Sequence, residues 1–451
     1  MGSYHVKKRN LKNLAAASLL GCAGLAFTAS AQAASTNVTY DGTTYAVNWQ
    51  ATTYNASTTL LTSQPWYGNS KMATTMAAAN VDPSSNFFNR SAYFAYANNA
   101  TTAMVSGAAY NNAGAQYGGS PAGVYTDTLG DAGSYWYAYT LATKNMLDSI
   151  QASNATVAAL QNDNALLVNG AHSHPLEHLV EKGKKAFWVA GDFGKDNHGG
   201  NSGSSALSEV GVGYNFGRVQ LDLTAGYVWN HAQMPNNGAS NNQSQMMSAE
   251  AIILLSEARK VYGTLGVYGL RGSADVFRTY VDAAGTAQSS YGRPDSSGTV
   301  GRARLDWVNA AQVRNTGITP YLDVSYYQSR ISGYTESGGS APAVFNATTN
   351  HATEGHLGIN TVTPTSFHDA RILFDLEAAS SSTAAGSGVS GYIPGVVWFN
   401  YAGQTSSRNW GKAGIGFDDE IGAGKLFVML NGTTNSAMPS AWLAAFYQLS
   451  F

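Results

Sequence analysis

From Val219 onward, Leu221, Leu223, Ala225 and Tyr227 alternate with Gln220, Asp222, Thr224 and Gly226. In an extended strand successive side chains point to opposite faces, so one face is apolar and the other carries amides, acids and glycine. The same rhythm returns with Leu322, Val324 and Tyr326 against Tyr321, Asp323, Ser325 and Tyr327. It returns again with Ile372, Phe374 and Leu376 against Asp375 and Glu377, and with Ala413, Ile415 and Phe417 against Gly414, Gly416 and Asp418. In a soluble sandwich such apolar faces pack on each other. In a membrane barrel they face lipid and the charged faces line the lumen. Beyond the N-terminal segment no stretch of 18 apolar residues exists, which excludes helical spans. Insertion in a membrane would have to use strands, closed so that no backbone group is left unpaired.

The alternation runs to the last residue. Leu443, Ala445, Tyr447, Leu449 and Phe451 share one face, with Trp442, Ala444, Phe446, Gln448 and Ser450 on the other. An aromatic ring ending a strand suits the girdle at a membrane–water interface.

The first residues predict export. Lys7, Lys8, Arg9 and Lys12 form a positive region, Leu14 to Phe27 is apolar, and Ala31-Gln32-Ala33 is a small-x-small cleavage site. That is a cleavable signal peptide over 1–33, of the kind the Sec translocon reads. Cys22 follows Leu19-Leu20-Gly21 in a loose lipoprotein-like arrangement, but the apolar stretch continues past it. With cleavage after Ala33 the mature chain keeps no cysteine, which removes disulfides, thiolate metal sites and cysteine nucleophiles together. The full chain holds 25 basic and 27 acidic side chains, and four basic residues leave with the signal, so the mature net charge is −6. No basic patch is present, and nucleic acid is not an expected partner.

Composition divides the rest. Residues 34–140 form a head rich in Asn, Ser, Thr, Ala and Tyr; 141–183 is a helical linker; 184–451 is a run of strands. Twelve strands are predicted, at 185–194, 207–217, 219–230, 245–255, 259–270, 300–310, 318–330, 353–362, 371–380, 410–420, 424–433 and 441–451. Tight turns such as Phe216-Gly217-Arg218 and Ile421-Gly422-Ala423-Gly424 contrast with polar loops at 231–244, 271–299, 331–352 and 381–409. Short turns at one end and long loops at the other are what the periplasmic and external ends of a barrel need. No internal repeat period is visible, which argues against a propeller. In the linker, Met146, Ile150, Val157, Leu160 and Leu167 recur at helical spacing beside polar Asn145, Ser149, Gln151, Asn154 and Asn162. A helix over 141–170, stopped by Asn169-Gly170 with Pro175 beyond, is long enough to thread a pore. It could instead pack against the head.

The segments EVGVGYNFGRVQLDLTAGYVW from Glu209 and TPYLDVSYYQSRISGYTESGG from Thr319, with the ending at Phe451, resemble the translocator domain of autotransporters. The resemblance covers about 184–451 and the helix before it. It implies an all-β transmembrane barrel of twelve antiparallel strands in outer-membrane lipid, a pore-threading helix, and a small α+β N-terminal passenger exported to the cell surface. It also implies that the barrel-assembly machinery reads the last strand, here at Tyr447, Leu449 and Phe451. Some members cut themselves inside the pore. Asn162-Asp163-Asn164 could support that step, but the family's cleavage motif is not clearly present and retention is the expectation.

The head argues against catalysis by what it lacks. Residues 34–171 contain no His, Cys or Glu. A serine hydrolase has no base there, and a His-ligated zinc has no ligands. Asp127 and Asp131 could formally pair as in a glycosidase, but beside Gly130 and Gly133 they read as turn residues. His174-Pro175-Leu176-Glu177-His178 matches the H-x-x-E-H string of some zinc proteases. Pro175 restricts it to a helix start, and no protease domain surrounds it. Incidental metal binding by His172, His174 and His178 is the stronger expectation. No cofactor, catalytic residue or resident metal is expected.

The head's twelve Tyr, three Trp and three Phe, including Phe87-Phe88, Tyr93-Phe94 and Tyr135-Trp136-Tyr137, are expected to build its core. Exposed Tyr and Asn would also suit adhesion to an unknown surface ligand. Asp41-Gly42 predicts a hairpin between Thr39 and Tyr45, and Ser70 to Asn80 a short helix. The stretch Leu61 to Ala73, with Gln64-Pro65-Trp66-Tyr67-Gly68-Asn69, resembles the start of some exported bacterial proteins that carry a C-terminal sorting tail, which this chain lacks. The function expected is self-export and display of a non-catalytic head. An adhesin, a porin-like channel plugged by helix and head, and a hydrolase passenger are the alternatives.

Overall fold

A computed structural model describes residues 36–79, 93–99, 101–102, 104–111, 123–198, 202–383, 385–434 and 438–451. The expected cleavage site at Ala31 and Ala33, Cys22, and Phe87-Phe88 lie outside the described residues.

The strand region closes on itself. Its strands are β1 (Lys185–Asp196), β2 (Gly203–Asn215), β3 (Val219–Met234), β4 (Gly238–Ser256), β5 (Val261–Val281) and β6 (Asp295–Trp307), followed by β7 (Thr316–Ile331), β8 (Thr348–Pro364), β9 (Arg371–Ser381), β10 (Asn409–Ile421), β11 (Gly424–Thr433) and β12 (Ala441–Ser450). Each pairs antiparallel with its chain neighbour, and β12 returns to β1 from Ala441↔Lys195 to Ser450↔Ala186. The closing seam ends where Phe451 and Lys185 exchange backbone hydrogen bonds of 3.0 and 2.8 Å. Closure leaves no edge, the condition for strands in hydrocarbon.

The faces invert the rule for soluble proteins. Leu221 and Leu223 are 48% and 59% exposed, while Gln220, Asp222 and Thr224 between them are 1%, 2% and 5% exposed. Val210, Val212, Leu265, Val267, Leu357, Leu376, Ile415, Leu430 and Leu443 also project outward. Polar-in, apolar-out is the pattern of a barrel solvated by lipid. Leu223, flanked by Val212 and Ala249 on the neighbouring strands, sits in this belt. Leu223→Arg is expected to destabilise the folded barrel by about 2–4 kcal/mol. Urea titration of the barrel in lipid vesicles measures this, and an unchanged midpoint would contradict the lipid-facing assignment.

The two ends differ. Short turns fall at 216–218, 257–260, 308–315, 365–370 and 422–423, all at the end that holds Lys185 and Phe451. Several need positive φ, as at Gly217 (112°) and Gly422 (65°), which glycine adopts without strain. The opposite end is larger than the sequence predicts. β4 and β5 stay paired from Ser256↔Val261 to Ala239↔Phe277, so most of the expected loops 231–244 and 271–299 is strand. At about 3.3 Å per residue these strands outrun a membrane span of about ten residues and project from the long-loop end.

The head is α+β and sits at that end. The hairpin Thr36–Tyr40/Thr43–Thr53 turns at Asp41-Gly42, with φ of 47° and 75°, and Ser134–Tyr139 pairs with its second strand. The helix Ser70–Ala79 packs on a three-stranded sheet of Phe94–Asn99, Met104–Asn111 and Gly123–Gly130. Trp66 and Phe94 are buried edge to face at 5.0 Å, and Tyr137 is fully buried, so these aromatics are core. Asp127 lies within the last of these strands, not in a turn, and its carboxylate accepts from the Thr128 N–H at 2.7 Å; Asp131 lies in the turn that follows.

Candidate functional site

The site is the barrel lumen and what fills it. The predicted helix over 141–170 is two helical segments, Lys144–Ala152 and Asn154–Asn169, bent at Ser153. Thr143 starts it by accepting from the Met146 N–H at 3.1 Å. The Ser149 hydroxyl donates to the Met146 carbonyl at 2.6 Å and Ser153 reaches the Ser149 carbonyl at 3.5 Å. Serine hydroxyls turned back on their own helix bend it. The bend divides the helix between two environments. Met146 and Ile150 are buried in an apolar cluster shared with the head, whereas Asn154–Asn169 enters the lumen. Lys144–Ala152 packs chiefly on the extended part of Val261–Val281 and the Pro235–Asn237 turn, and only Asn154–Asn169 threads the lumen.

Inside the lumen nearly the whole circumference is buried, including Val157, Leu160, Asn162, Asp163 and Asn164. Asn154 donates to the Ala402 carbonyl at 2.9 Å where the helix enters. The Asp163 carboxylate accepts from Asn230 at 3.0 Å and from Asn242, which face each other on β3 and β4. Asn164 donates to Ser329 at 2.7 Å and lies over Gly298, where a Cβ would come within 2.1 Å of it. Asp163 and Asn164 are thus gripped by the wall; the sequence offered no signal for Asn230 or Asn242 as partners of Asp163.

Below Gly170 the chain leaves the helix but stays in the lumen, where every backbone carbonyl without a helical partner needs a donor. The wall supplies them. Arg302 donates to the His172 carbonyl at 2.7 Å, Arg304 to that of Ser173 at 3.0 Å, Gln220 to that of His178 at 2.8 Å, and Asn215 to that of Val180 at 2.5 Å. Arg302 is held in turn by Asp323 at 2.6 Å and Arg304 by Asp306 at 2.8 Å. Arg304 also covers the Tyr321 ring at 3.7 Å.

His172 is the tightest fastening. It is 1% exposed, with Nε2 2.9 Å from Glu209 Oε2 on β2 and Nδ1 2.8 Å from Glu250 Oε2 on β4. A ring with a hydrogen on each nitrogen satisfies both carboxylates. Trp188 donates to the other oxygen of Glu209 at 3.2 Å, and Tyr268 to that of Glu250 at 2.5 Å. All four wall groups face inward on β1, β2, β4 and β5, so the plug is fastened to one arc of neighbouring strands in the wall.

The H-x-x-E-H string does not form a zinc site. Pro175–His178 is a single 3-10 turn, and its members take separate partners. His174 Nδ1 lies 2.8 Å from the Ser173 hydroxyl, His178 donates to Gln448 at 2.9 Å, and Glu177 pairs with Lys425 and Arg371. With His172 already held by two glutamates, the expected incidental metal site of His172, His174 and His178 is overturned as well. Among the described residues no group of three or more His, Cys, Asp or Glu is placed to hold a metal ion.

Charge lines the rest of the lumen. Lys412 sits 2.9 Å from Asp375 and 3.3 Å from Glu377, and His356 lies 2.9 Å from Glu377. The vestibule at the short-turn end opens to a cavity of 570 Å³ beside Arg304, Arg371 and Lys425. Beside Gln161, Ala165 and Tyr327, by contrast, a gap of only 70 Å³ separates helix from wall. A polar lumen filled by a hydrogen-bonded segment blocks a channel.

Residues 187–432 match the family described as Autotransporter beta-domain. No curated protein matches the chain. Among solved structures, the translocator domain of NalP from Neisseria meningitidis superposes with a TM-score of 0.51 at 15% identity, covering 67% of this chain and 99% of that one. The beta domain of the Bordetella autotransporter BrkA gives 0.40 at 14% identity, covering 60% and 99%. At these identities the likeness is one of fold, and it rests on NalP.

Proposed function

Because this chain belongs to the autotransporter family, we propose that its barrel, an outer-membrane translocator, exports the head of residues 34–140 to the cell surface and keeps it attached there. The observation that carries this reading is the path of the chain. The head lies at the long-loop end, the helix descends through the lumen, and the chain leaves at the short-turn end to begin β1. Short turns face the periplasm in such barrels, so the long-loop end is outside. Retention fits a helix gripped at Asp163, Asn164 and His172. A head without His or Glu supports display over hydrolysis. Proteinase added to intact cells tests the reading. Loss of the head is expected, while digestion only after permeabilisation would overturn it in favour of a periplasmic plug.

Assembly follows the same logic. The chain is proposed to reach the periplasm through the Sec translocon and to be inserted by the barrel-assembly machinery. Tyr447, Leu449 and Phe451 are the outward residues of the closing strand, with the Tyr447 hydroxyl donating to the Ile421 carbonyl at 2.9 Å and Phe451 62% exposed. They are the proposed assembly signal. Tyr447→Ala with Phe451→Ala is expected to lower folded barrel in the outer membrane by about tenfold, equivalent to about 1.4 kcal/mol, because two interfacial aromatics are lost together. Heat-modifiable mobility on gels measures this, and wild-type levels would remove the assignment.

A further inference from the structure

The head and the barrel share one sheet. Thr36–Tyr40 and Thr43–Thr53 continue through Val397–Tyr401 and Val389–Ile393 to Val344–Phe345 and Tyr334–Thr335, so three head strands, counting Ser134–Tyr139, join four strands from barrel loops. The junction pairs Thr44↔Trp398 and Tyr45↔Val397, with the Ala46 N–H donating to the Val396 carbonyl at 3.0 Å.

The side chains agree with the backbone. Val38, Tyr45 and Val47 of the head lie in one apolar cluster with Phe345, Val389, Ile393, Val397 and Phe399 of the loops. External loops of a barrel face water, and a run of large apolar side chains there needs a cover. The loop hairpin 389–401 also offers an unpaired strand edge, which proteins rarely leave open. The head supplies both. A buried ion pair fixes the loops from the other side: Arg278 on β5 meets Glu336 at 2.6 Å and donates to the Ala341 carbonyl at 2.8 Å and to Ser149 of the helix at 3.1 Å.

We propose that loops 332–347 and 382–408 are a docking template on which the exported head folds, so that the head stays on the barrel without the covalent link through the pore. This rests on the head being displayed outside, but the docking is testable apart from it. Leu141 is 49% exposed between the last head strand and the helix, so a flexible insert carrying a site-specific protease sequence is placed between Leu141 and Ala142. The full-length protein is purified in detergent, cut, and run on a sizing column. The cut head is expected to co-elute with the barrel; elution as a free fragment would overturn the proposal. On intact cells the cut head is expected in the pellet. Failure to cut there, with co-elution in detergent, would sink surface display and leave docking standing.

Two variants separate docking from general misfolding. Val397→Asp on the loop and Tyr45→Asp on the head each place a charge in the shared core, at 0% and 5% exposure. Each is expected to raise the released fraction after cutting by about tenfold or more, while the heat-modifiable barrel band is unchanged. Retention at the uncut level in both would refute the template. Tyr45→Asp leaves every barrel residue untouched, so it reports on docking even if Val397→Asp fails to assemble.

Discussion

Deletion of residues 144–169 is expected to raise the ion conductance of the purified protein in planar bilayers by about tenfold or more, because it empties a polar, charged lumen. The helix Asn154–Asn169 is buried on nearly all sides in that lumen. Removing it exposes Asn230, Asn242 and Ser329 to a continuous aqueous path. The barrel itself should survive, since its closure depends on strand pairing between β12 and β1 and not on the helix. The intact protein should show only rare openings. High conductance of the intact chain would mean that the plug leaves readily, and would revive the reading as a porin-like channel. Equal conductance with and without the helix would mean that residues 170–180 alone seal the pore.

His172→Ala is the second large effect, and it separates those two seals. The imidazole stands between Glu209 and Glu250, each at most 2% exposed as a side chain. Without it two buried carboxylates face each other with no cation between them. Breaking a buried pair by removing one partner typically costs about 3–5 kcal/mol. Trp188 and Tyr268 still donate to the two acids, so the strands stay paired; the loss falls on the plug. The expected results are frequent channel openings and increased entry of large antibiotics into cells, with the heat-modifiable barrel band retained. His172→Gln, which donates from one position only, should fall between wild type and alanine. A variant as quiet as wild type would show that Arg302 and Arg304, through their bonds to the His172 and Ser173 carbonyls, hold the plug without the imidazole.

The strand centres were legible because lipid on one side and a polar lumen on the other impose period 2 at every residue. Predicted strands at 219–230, 371–380 and 424–433 lie within or beside the observed Val219–Met234, Arg371–Ser381 and Gly424–Thr433. The strand ends were not legible at the outer side of the membrane. Ala239, Asn241, Gln243 and Gln245 alternate with equally polar Ser240, Asn242 and Ser244, so 231–244 reads as loop although it is paired on both sides of the Pro235–Asn237 turn. Water on the outer face removes the contrast between faces. The helix was legible in extent from Met146, Ile150, Val157 and Leu160, but the bend at Ser153 follows from hydroxyl hydrogen bonds that spacing does not encode. His174-Pro175-Leu176-Glu177-His178 misled because a short string carries residue types without directions; its rings point to different strands.

The site was less legible than the fold. Glu209 and Glu250 lie 37 and 78 residues from His172, and each reads in sequence only as one polar position in an alternating strand. The sequence by itself determined which side of each strand meets lipid, and that the described residues offer no helix long and apolar enough to cross a membrane. Those are local properties, set by neighbouring residues and the solvent each face requires. The tertiary structure decided what the lumen holds, which histidine fastens the plug, and that the head completes a sheet begun by the barrel's loops. These depend on side chains brought together from distant positions, and on a junction only a few residues long, too short to leave a periodic trace.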